Sequence, residues 1–238
     1  MFDGSGVAYL RGVVDVTGIE DAIWAFYDLP RDNSSAWPTG LESHLQRLRK
    51  TGIFTVFGND IVNAAIDRVL GDDWYEHDDW GAPLISFPSP GPWTMPTKIW
   101  HSDHRAEGSP DRVEILRMFG FVSRVAPQGG GTLVVEGSHE LIRRMVAAAP
   151  DHDAGSSAQL KKKLAAIHPW FRAPKFEPVE IDGVTVRVRE LTGEPGDVVF
   201  MLPWTLHNFS MNTSDRPRFM VTHTAFAGVA PVTARPST

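Results

Sequence analysis

The chain has 238 residues, 42% of them hydrophobic, with 23 basic and 29 acidic side chains and a formal charge of −6 at pH 7. That length suits one substantial core, and the acidic balance argues against a nucleic-acid partner because no broad basic field is present. With no cysteine, disulfides, thiolate metal sites and cysteine nucleophiles are excluded, so any bound metal must use nitrogen and oxygen donors.

Met1-Phe2-Asp3-Gly4 shows no basic region followed by an apolar core, and no apolar run approaches the roughly 18 residues of a membrane span, so a cytoplasmic protein without a membrane partner is expected. Thr17-Gly18-Ile19-Glu20 fits a capping box opening a helix, with Ile19, Ile23, Trp24 and Tyr27 at helical spacing up to Pro30. Thr39-Gly40-Leu41-Glu42 repeats that pattern, Leu41, Leu45 and Leu48 form a stripe, and Gly52 would close the helix. A strand is predicted over Ile53 to Phe57. Asn59 then caps a helix burying Ile61, Val62, Ala65, Ile66, Val69 and Leu70, which Gly71 stops.

From Asp72 to Trp93 the chain is aromatic, acidic and rich in proline, which predicts loop. Strand-like runs follow at Thr94 to Trp100, Val113 to Val125, Thr132 to Val135, Val184 to Leu191, Val198 to Leu202 and Phe219 to Phe226. Gly/Pro turns punctuate them, which predicts a mainly β chain with flanking helices, folded as a jelly roll. Leu141 to Ala149 and Ala158 to Ile167 look helical, so residues 141–178 are predicted as an insertion within a single domain spanning 1–238. Lys161-Lys162-Lys163 is predicted as a solvated helix face.

One short motif carries chemistry. In a strand, side chains at i and i+2 share a face, so His101 and Asp103 can grip one side of a metal. A second imidazole from a distant strand would complete a 2-His-1-carboxylate triad with open positions. His77-Asp78-Asp79 has the same pattern but sits in a charged, loop-like stretch, whereas His101 follows a strand-like run, and a rigid strand positions ligands better. For the distal ligand, His207 and His223 compete. Arg218 lies eleven residues after His207 on the next predicted strand, where its guanidinium can bind a carboxylate through paired hydrogen bonds. His223 is followed only by Arg235, in the tail. Arg216, the nearby alternative to Arg218, falls in a turn and is assigned to surface charge.

Trp100-His101-Ser102-Asp103, Gly129-Gly130-Gly131-Thr132-Leu133-Val134-Val135-Glu136-Gly137-Ser138-His139, Gly196-Asp197-Val198-Val199-Phe200 before His207, and Asn212 through Arg218 together resemble the phytanoyl-CoA dioxygenase family, over about residues 52–226. The resemblance implies a double-stranded β-helix of cupin-like shape, ferrous iron, 2-oxoglutarate as cosubstrate and dioxygen. By motif position it implies His101, Asp103 and His207 as iron ligands and Arg218 as the group that binds the far carboxylate of 2-oxoglutarate. The implied activity is oxidation, in the first instance hydroxylation, of a small molecule, with release of succinate and carbon dioxide. His139 of the Gly137-Ser138-His139 element is read as a capping or packing residue. Halogenating relatives replace the carboxylate ligand with a small residue, so Asp103 argues for hydroxylation.

Thr97 and Ile99 share the predicted inward face with His101 and Asp103, which makes Thr97 a candidate hydrogen-bond partner for the cosubstrate, while Lys98 would point away. Trp80, Trp93, Trp170 and Trp204 lie in or beside loops and suggest a partly apolar substrate, with 141–178 as a lid. A cupin-like metal protein without oxygen chemistry, or a non-catalytic binding domain, would keep the barrel but give Arg218 no purpose. Fold and cosubstrate leave the substrate and the oligomeric state open.

Overall fold

The computed structural model describes residues 2–42, 46–76, 80–98 and 100–228. Its first strand, β1 (Val7–Leu10), is followed by α1 (Ile19–Tyr27), β2 (Gly40–Glu42) and the short α2 (Gln46–Arg49). Next come α3 (Asp60–Leu70), β3 (Trp74–Tyr75), β4 (Ala82–Phe87), β5 (Ala106–Glu107), β6 (Ile115–Phe121) and β7 (Leu133–Glu136). An α-rich excursion follows, with α4 (Ser138–Ala148), β8 (Asp153–Gly155) and α5 (Ser157–Ile167), before β9 (Val179–Ile181) and β10 (Val184–Glu190). The chain closes through β11 (Val198–Met201), β12 (His207–Asn208) and β13 (Arg218–Ala227).

Two antiparallel sheets carry the fold. The larger runs β1-β11-β6-β13-β4-β2, with β3 also on β13, and the smaller runs β12-β7-β10-β9. Val7, Phe119, Phe121, Val134, Leu191, Val199 and Met220, drawn from both sheets, are buried together between them. The opposite side of the larger sheet is covered by α1 and α3, whose Ile23, Trp24, Val62 and Ile66 pack on Phe200, Phe219, Val221 and Ala225. Because both faces of β6 and β11 are covered, those strands are apolar almost throughout rather than alternating, while β13 carries Arg218, Thr222, His223 and Thr224 among its apolar residues. Gly120 of β6 permits this closeness, since a Cβ there would fall 2.2 Å from the Phe57 ring. The smaller sheet is backed by α4 and α5, with Ile142, Val146, Leu160 and Leu164 against Leu133, Val135, Val186 and Val188. This is the jelly-roll arrangement expected, as two facing sheets rather than a closed barrel.

Several local expectations fail for identifiable reasons. The helix α1 starts at Gly18, which has φ +79° and offers no side-chain cap, so the Thr17 capping box does not form. Residues predicted as a helix after Thr39 instead pair as β2 with β4 before the four-residue α2; Leu45 of the proposed stripe lies outside the described residues. Ile53 to Phe57 forms turns and a 3-10 helix at Thr55–Gly58, because its aromatic residues Phe54 and Phe57 both bury on one side. Asn59 caps α3 as expected, accepting from the backbone N–H groups of Ile61 and Val62, although Ile61 itself is exposed. The predicted loop 72–93 contains β3 and β4. Pro83 lies opposite Val221 of β13 on one side, and on the other β2 pairs, among the described residues, only with Ile85 to Phe87, so no ladder donor is needed from Pro83 toward β2.

The excursion between β7 and β9 contains the two predicted helices, with α4 beginning at Ser138. Its middle is more than a loop, because β8 pairs with β5. Within α5, Lys162 and Lys163 are exposed, and Lys163 Nζ donates to the Ala154 carbonyl at 2.7 Å. Among the described residues no helix is long and apolar enough to cross a membrane.

Candidate metal centre

The strand predicted over Thr94 to Trp100 is an irregular extended segment; Ile99 lies outside the described residues. Pro92 and Pro96 remove the N–H groups a ladder would need, and side chains hold the segment instead. Asn208 Nδ2 donates to the Lys98 carbonyl at 2.6 Å, and Trp100 Nε1 to the Pro96 carbonyl at 2.8 Å. Regular pairing begins at His101, which forms an isolated antiparallel bridge with His207. The His101 N–H donates to the His207 carbonyl at 3.1 Å and the His207 N–H to the His101 carbonyl at 2.8 Å. Residues directly opposed in an antiparallel pair project to the same face. The two imidazoles accordingly stand side by side, with centroids 4.3 Å apart.

Asp103 enters from the bend that follows. Its Oδ1 lies 3.6 Å from His101 Nε2 and 3.4 Å from His207 Nε2. One donor atom from each of the three residues falls within 4.8 Å of the others, a spacing that can hold a single ion. His207 is buried, and its Nδ1–H donates to the Thr205 carbonyl at 3.1 Å, which orients the ring with Nε2 facing the cluster. Asp103 Oδ2 is 3.2 Å from Arg117 Nε, an ion pair without aligned hydrogen-bond geometry, and Arg117 Nη1 donates to Thr224 Oγ1 at 2.7 Å. Burial works against the Asp103 carboxylate, but hydrogen bonds from the two imidazoles and the charges of His207 and Arg117 outweigh it, and the group is held well below the usual carboxylate range. Burial pushes neighbouring His104 down from its ordinary value.

The bend is anchored from the excursion. The Ser102 N–H donates to Ser157 Oγ at 2.9 Å at the start of α5, and Ser102 Oγ donates to the His104 carbonyl at 3.0 Å. Arg105 pairs with Asp153 of β8 and with Glu107, and its carbonyl accepts from Trp204 Nε1 at 3.1 Å. Trp204 makes that reach from a left-handed backbone at φ +65°, a conformation that costs a non-glycine residue on the order of 1 kcal/mol or more.

Arg218 opens β13 and is 3% exposed. Its Nη1 donates to the Gly130 carbonyl, while the buried Nε has no hydrogen-bond partner among the described residues. Burial lowers its pKa to about 10, partly offset by the charge of Glu190, so the guanidinium stays cationic at neutral pH. Glu190 accepts from the N–H groups of Gln128 at 2.6 Å and Gly131 at 2.9 Å, which shapes the glycine-rich turn facing Arg218. In that turn Gly130 has φ +81°, and a Cβ there would meet Asn212 Cβ at 2.9 Å. Asn212, fully buried, donates to the carbonyls of Ser86 at 3.0 Å and Arg216 at 2.8 Å and so sets the turn that delivers Arg218.

The sequence candidates divide cleanly. His101, Asp103 and His207 come together. His223 does not join them, being stacked on Trp80 at 4.3 Å and bonded to Glu76. His77, Asp78 and Asp79 lie outside the described residues, as does Arg235. Arg216 is exposed, as expected. Thr97 is also exposed, which contradicts its predicted inward face because no strand alternation exists there to turn it inward. His139 packs against Gly6, as a packing residue should. Trp80 is core, Trp93 and Trp170 are partly buried against the α4/α5 core, and Trp204 braces the bend. Sequence reasoning missed Arg117, Thr205, Ser157 and Glu190. Only Arg117 left a signal, as a lone charge inside the otherwise apolar β6 run Ile-Leu-Arg-Met-Phe-Gly-Phe.

The model of the phytanoyl-CoA dioxygenase (PhyH) family matches residues 6–220. The chain belongs to this family. Structures of similar fold include the epimerase SnoN in complex with Fe3+, alpha ketoglutarate and nogalamycin RO, at 15% identity and a TM-score of 0.51, covering 94% of this chain and 80% of that one. EctD from S. alaskensis, with 2-oxoglutarate and 5-hydroxyectoine, aligns at 18% identity and 0.52, over 95% and 73%. The carbocyclase SnoK of nogalamycin biosynthesis aligns at 16% and 0.52, over 94% and 80%. No curated protein matches by sequence. As a PhyH-family member the chain is an iron- and 2-oxoglutarate-dependent oxygenase. Its own residues fit that pair of groups: two imidazoles and a carboxylate suit a divalent iron, and a buried cation with an unpartnered N–H suits an anionic ligand.

Proposed function

We propose that this oxygenase hydroxylates a small organic molecule, with His101, Asp103 and His207 holding the iron and Arg218 receiving the far carboxylate of 2-oxoglutarate. The observation that carries the reading is the coexistence of the three-residue cluster with a fully desolvated arginine whose Nε has no hydrogen-bond partner among the described residues. Ferrous iron with 2-oxoglutarate and dioxygen supplies an oxidant able to break a C–H bond, with succinate and carbon dioxide as coproducts.

The chain's residues contribute orientation. The Thr205 carbonyl keeps the His207 proton on Nδ1 and so keeps Nε2 available as a donor. Arg117 sits on Oδ2 of Asp103, which favours ligation through Oδ1 alone and leaves neighbouring positions for cosubstrate and dioxygen. Asp103 itself occupies the place that halide chemistry would need to be vacant, so hydroxylation is favoured over halogenation. Arg218, on a buried strand, holds one end of the cosubstrate and excludes water from it. The nogalamycin RO of SnoN and the 5-hydroxyectoine of EctD are both small molecules, which supports the substrate class.

Succinate formation from 2-oxoglutarate tests the reading. Iron-loaded protein should form succinate under air, and Arg218→Ala should form almost none at the same cosubstrate concentration. Iron-loaded protein that neither binds nor consumes 2-oxoglutarate contradicts it.

A further inference from the structure

Ser138, the middle residue of the Gly137-Ser138-His139 element, is fully buried where β7 turns into α4. Gly137 makes that turn with φ +78°, and a Cβ on it would fall 2.4 Å from the Thr185 carbonyl oxygen, so glycine is required to bring Ser138 to this point. The Ser138 hydroxyl donates to the Val135 carbonyl at 2.7 Å and accepts from the Leu206 N–H at 2.9 Å. The Val135 N–H donates in turn to the Leu206 carbonyl at 2.7 Å, so both backbone groups of Leu206 are held. Thr205 and Leu206 are each 1% exposed and Ser138 is 0% exposed, which keeps bulk water from taking the place of the hydroxyl.

The Leu206 N–H and the Thr205 carbonyl belong to one planar peptide unit, so fixing the first fixes the direction of the second. That carbonyl is the group that accepts from His207 Nδ1–H at 3.1 Å. A continuous run of hydrogen bonds therefore leads from the Val135 carbonyl through the Ser138 hydroxyl and the Thr205–Leu206 peptide to the His207 ring. Every inner link donates toward Val135 and accepts from the His207 side, and bonds aligned in this way strengthen one another by about 10–30% each in a dry interior. A stronger acceptor at Nδ1–H makes the imidazole a better electron donor through Nε2. We propose that Ser138 is a positioning residue of the metal centre, its hydroxyl aiming His207 at the ion through the Thr205–Leu206 peptide and raising the donor strength of the ring. The inference rests on the reading of His207 as an iron ligand and adds a group that touches neither the ring nor the ion.

The test uses the full chain with zinc, a diamagnetic ion that accepts the same nitrogen and oxygen donors, in place of iron. Calorimetric titration of zinc into wild-type and His207→Gln protein comes first and reports on the parent reading alone. Ring N–H signals are then recorded by NMR on zinc-loaded protein with isotope-labelled histidine, the His207 Nδ1–H signal being identified by its loss in His207→Gln. Ser138→Ala should lower zinc affinity about fivefold, the worth of one hydrogen bond, move the Nδ1–H signal upfield and speed its exchange with water. Ser138→Cys carries a weaker acceptor of similar size and should fall between wild type and Ser138→Ala on both measures; it stands in for the alanine variant if that one does not fold. Val146→Ala, a control that thins the buried core under the same helix, should melt at a lower temperature yet keep the wild-type affinity and signal. A zinc affinity or an Nδ1–H signal unchanged in both Ser138 variants, or an equal loss of affinity in Val146→Ala, would overturn the proposal while leaving His207 a ligand. Equal zinc affinity in wild type and His207→Gln would overturn the parent reading and this inference with it.

Discussion

The two halves of the metal centre are built differently. His207 stands on β12 within the smaller sheet, is 6% exposed, and has its ring orientation set by the Thr205 carbonyl. His101 and Asp103 lie at the start of a bend, their side chains 42% and 22% exposed, and depend on tethers reaching in from elsewhere. Ser157 and Asp153, both in the excursion between β7 and β9, hold the bend from one side, and Trp204 holds it from another. One half is therefore pre-formed by the sandwich, whereas the other is fixed to it only at the His101–His207 bridge, and beyond that point Asp103 is only as rigid as its tethers. The excursion is part of the scaffold of the site, so removing it should damage metal binding as well as any influence on substrate entry.

Substitutions can break that contrast in graded steps. The largest effect is expected from His207→Ala, which removes the pre-formed donor and should cost at least about 100-fold in metal affinity by calorimetry, beyond the loss typical of altering a ligand's orienting partner. Arg218→Ala should weaken 2-oxoglutarate by about 30-fold or more, since truncating one partner of a buried charge pair costs about 2–5 kcal/mol, while metal affinity stays within about threefold. Ser157→Ala deletes one tether worth about 1 kcal/mol and should lower metal affinity roughly fivefold. An unchanged affinity in Ser157→Ala would mean that the bend holds its shape without the excursion.

The smallest effect concerns the excursion's own stability. Hydrogen bonds from Arg143, and then Arg144, lower the Glu140 pKa from 4.5 to about 2 despite some opposing desolvation. A folded-state pKa below the unfolded one stabilises above the unfolded value and loses that contribution as pH falls through the folded value. Glu140→Gln should therefore destabilise the chain by up to about 1 kcal/mol above pH 5, the pairs being partly exposed. The gap from wild type should close between pH 4.5 and about 2, as thermal melts across that range will show.

The features that sequence revealed are those written locally. The His101-to-Asp103 spacing, the interval from His207 to Arg218, the glycine-rich turn and the later strands all depend on neighbours in the chain. Errors gathered where distant contacts decide. Four prolines made β4 look like loop, yet Pro83 sits where the sheet edge needs no donor. Phe54 and Phe57 suggested a strand, but burial under Gly120 and Gly81 favours a 3-10 turn. The rigid strand used to choose His101 over His77 is absent; the cross-chain bridge to His207 supplies the rigidity instead. Ser157 and Thr205 carry ordinary local signals, and their roles appear only when α5 and β12 are brought against the bend.

The central claim is that the three-residue cluster and Arg218 form one binding site. Calorimetric titration of 2-oxoglutarate into oxygen-free wild-type and Arg218→Ala protein, each with and without ferrous iron, tests it most directly. Wild-type protein with iron should bind tightest, and removing either the iron or the Arg218 guanidinium should weaken binding by about 30-fold or more. Binding of equal strength in all four samples would contradict the claim.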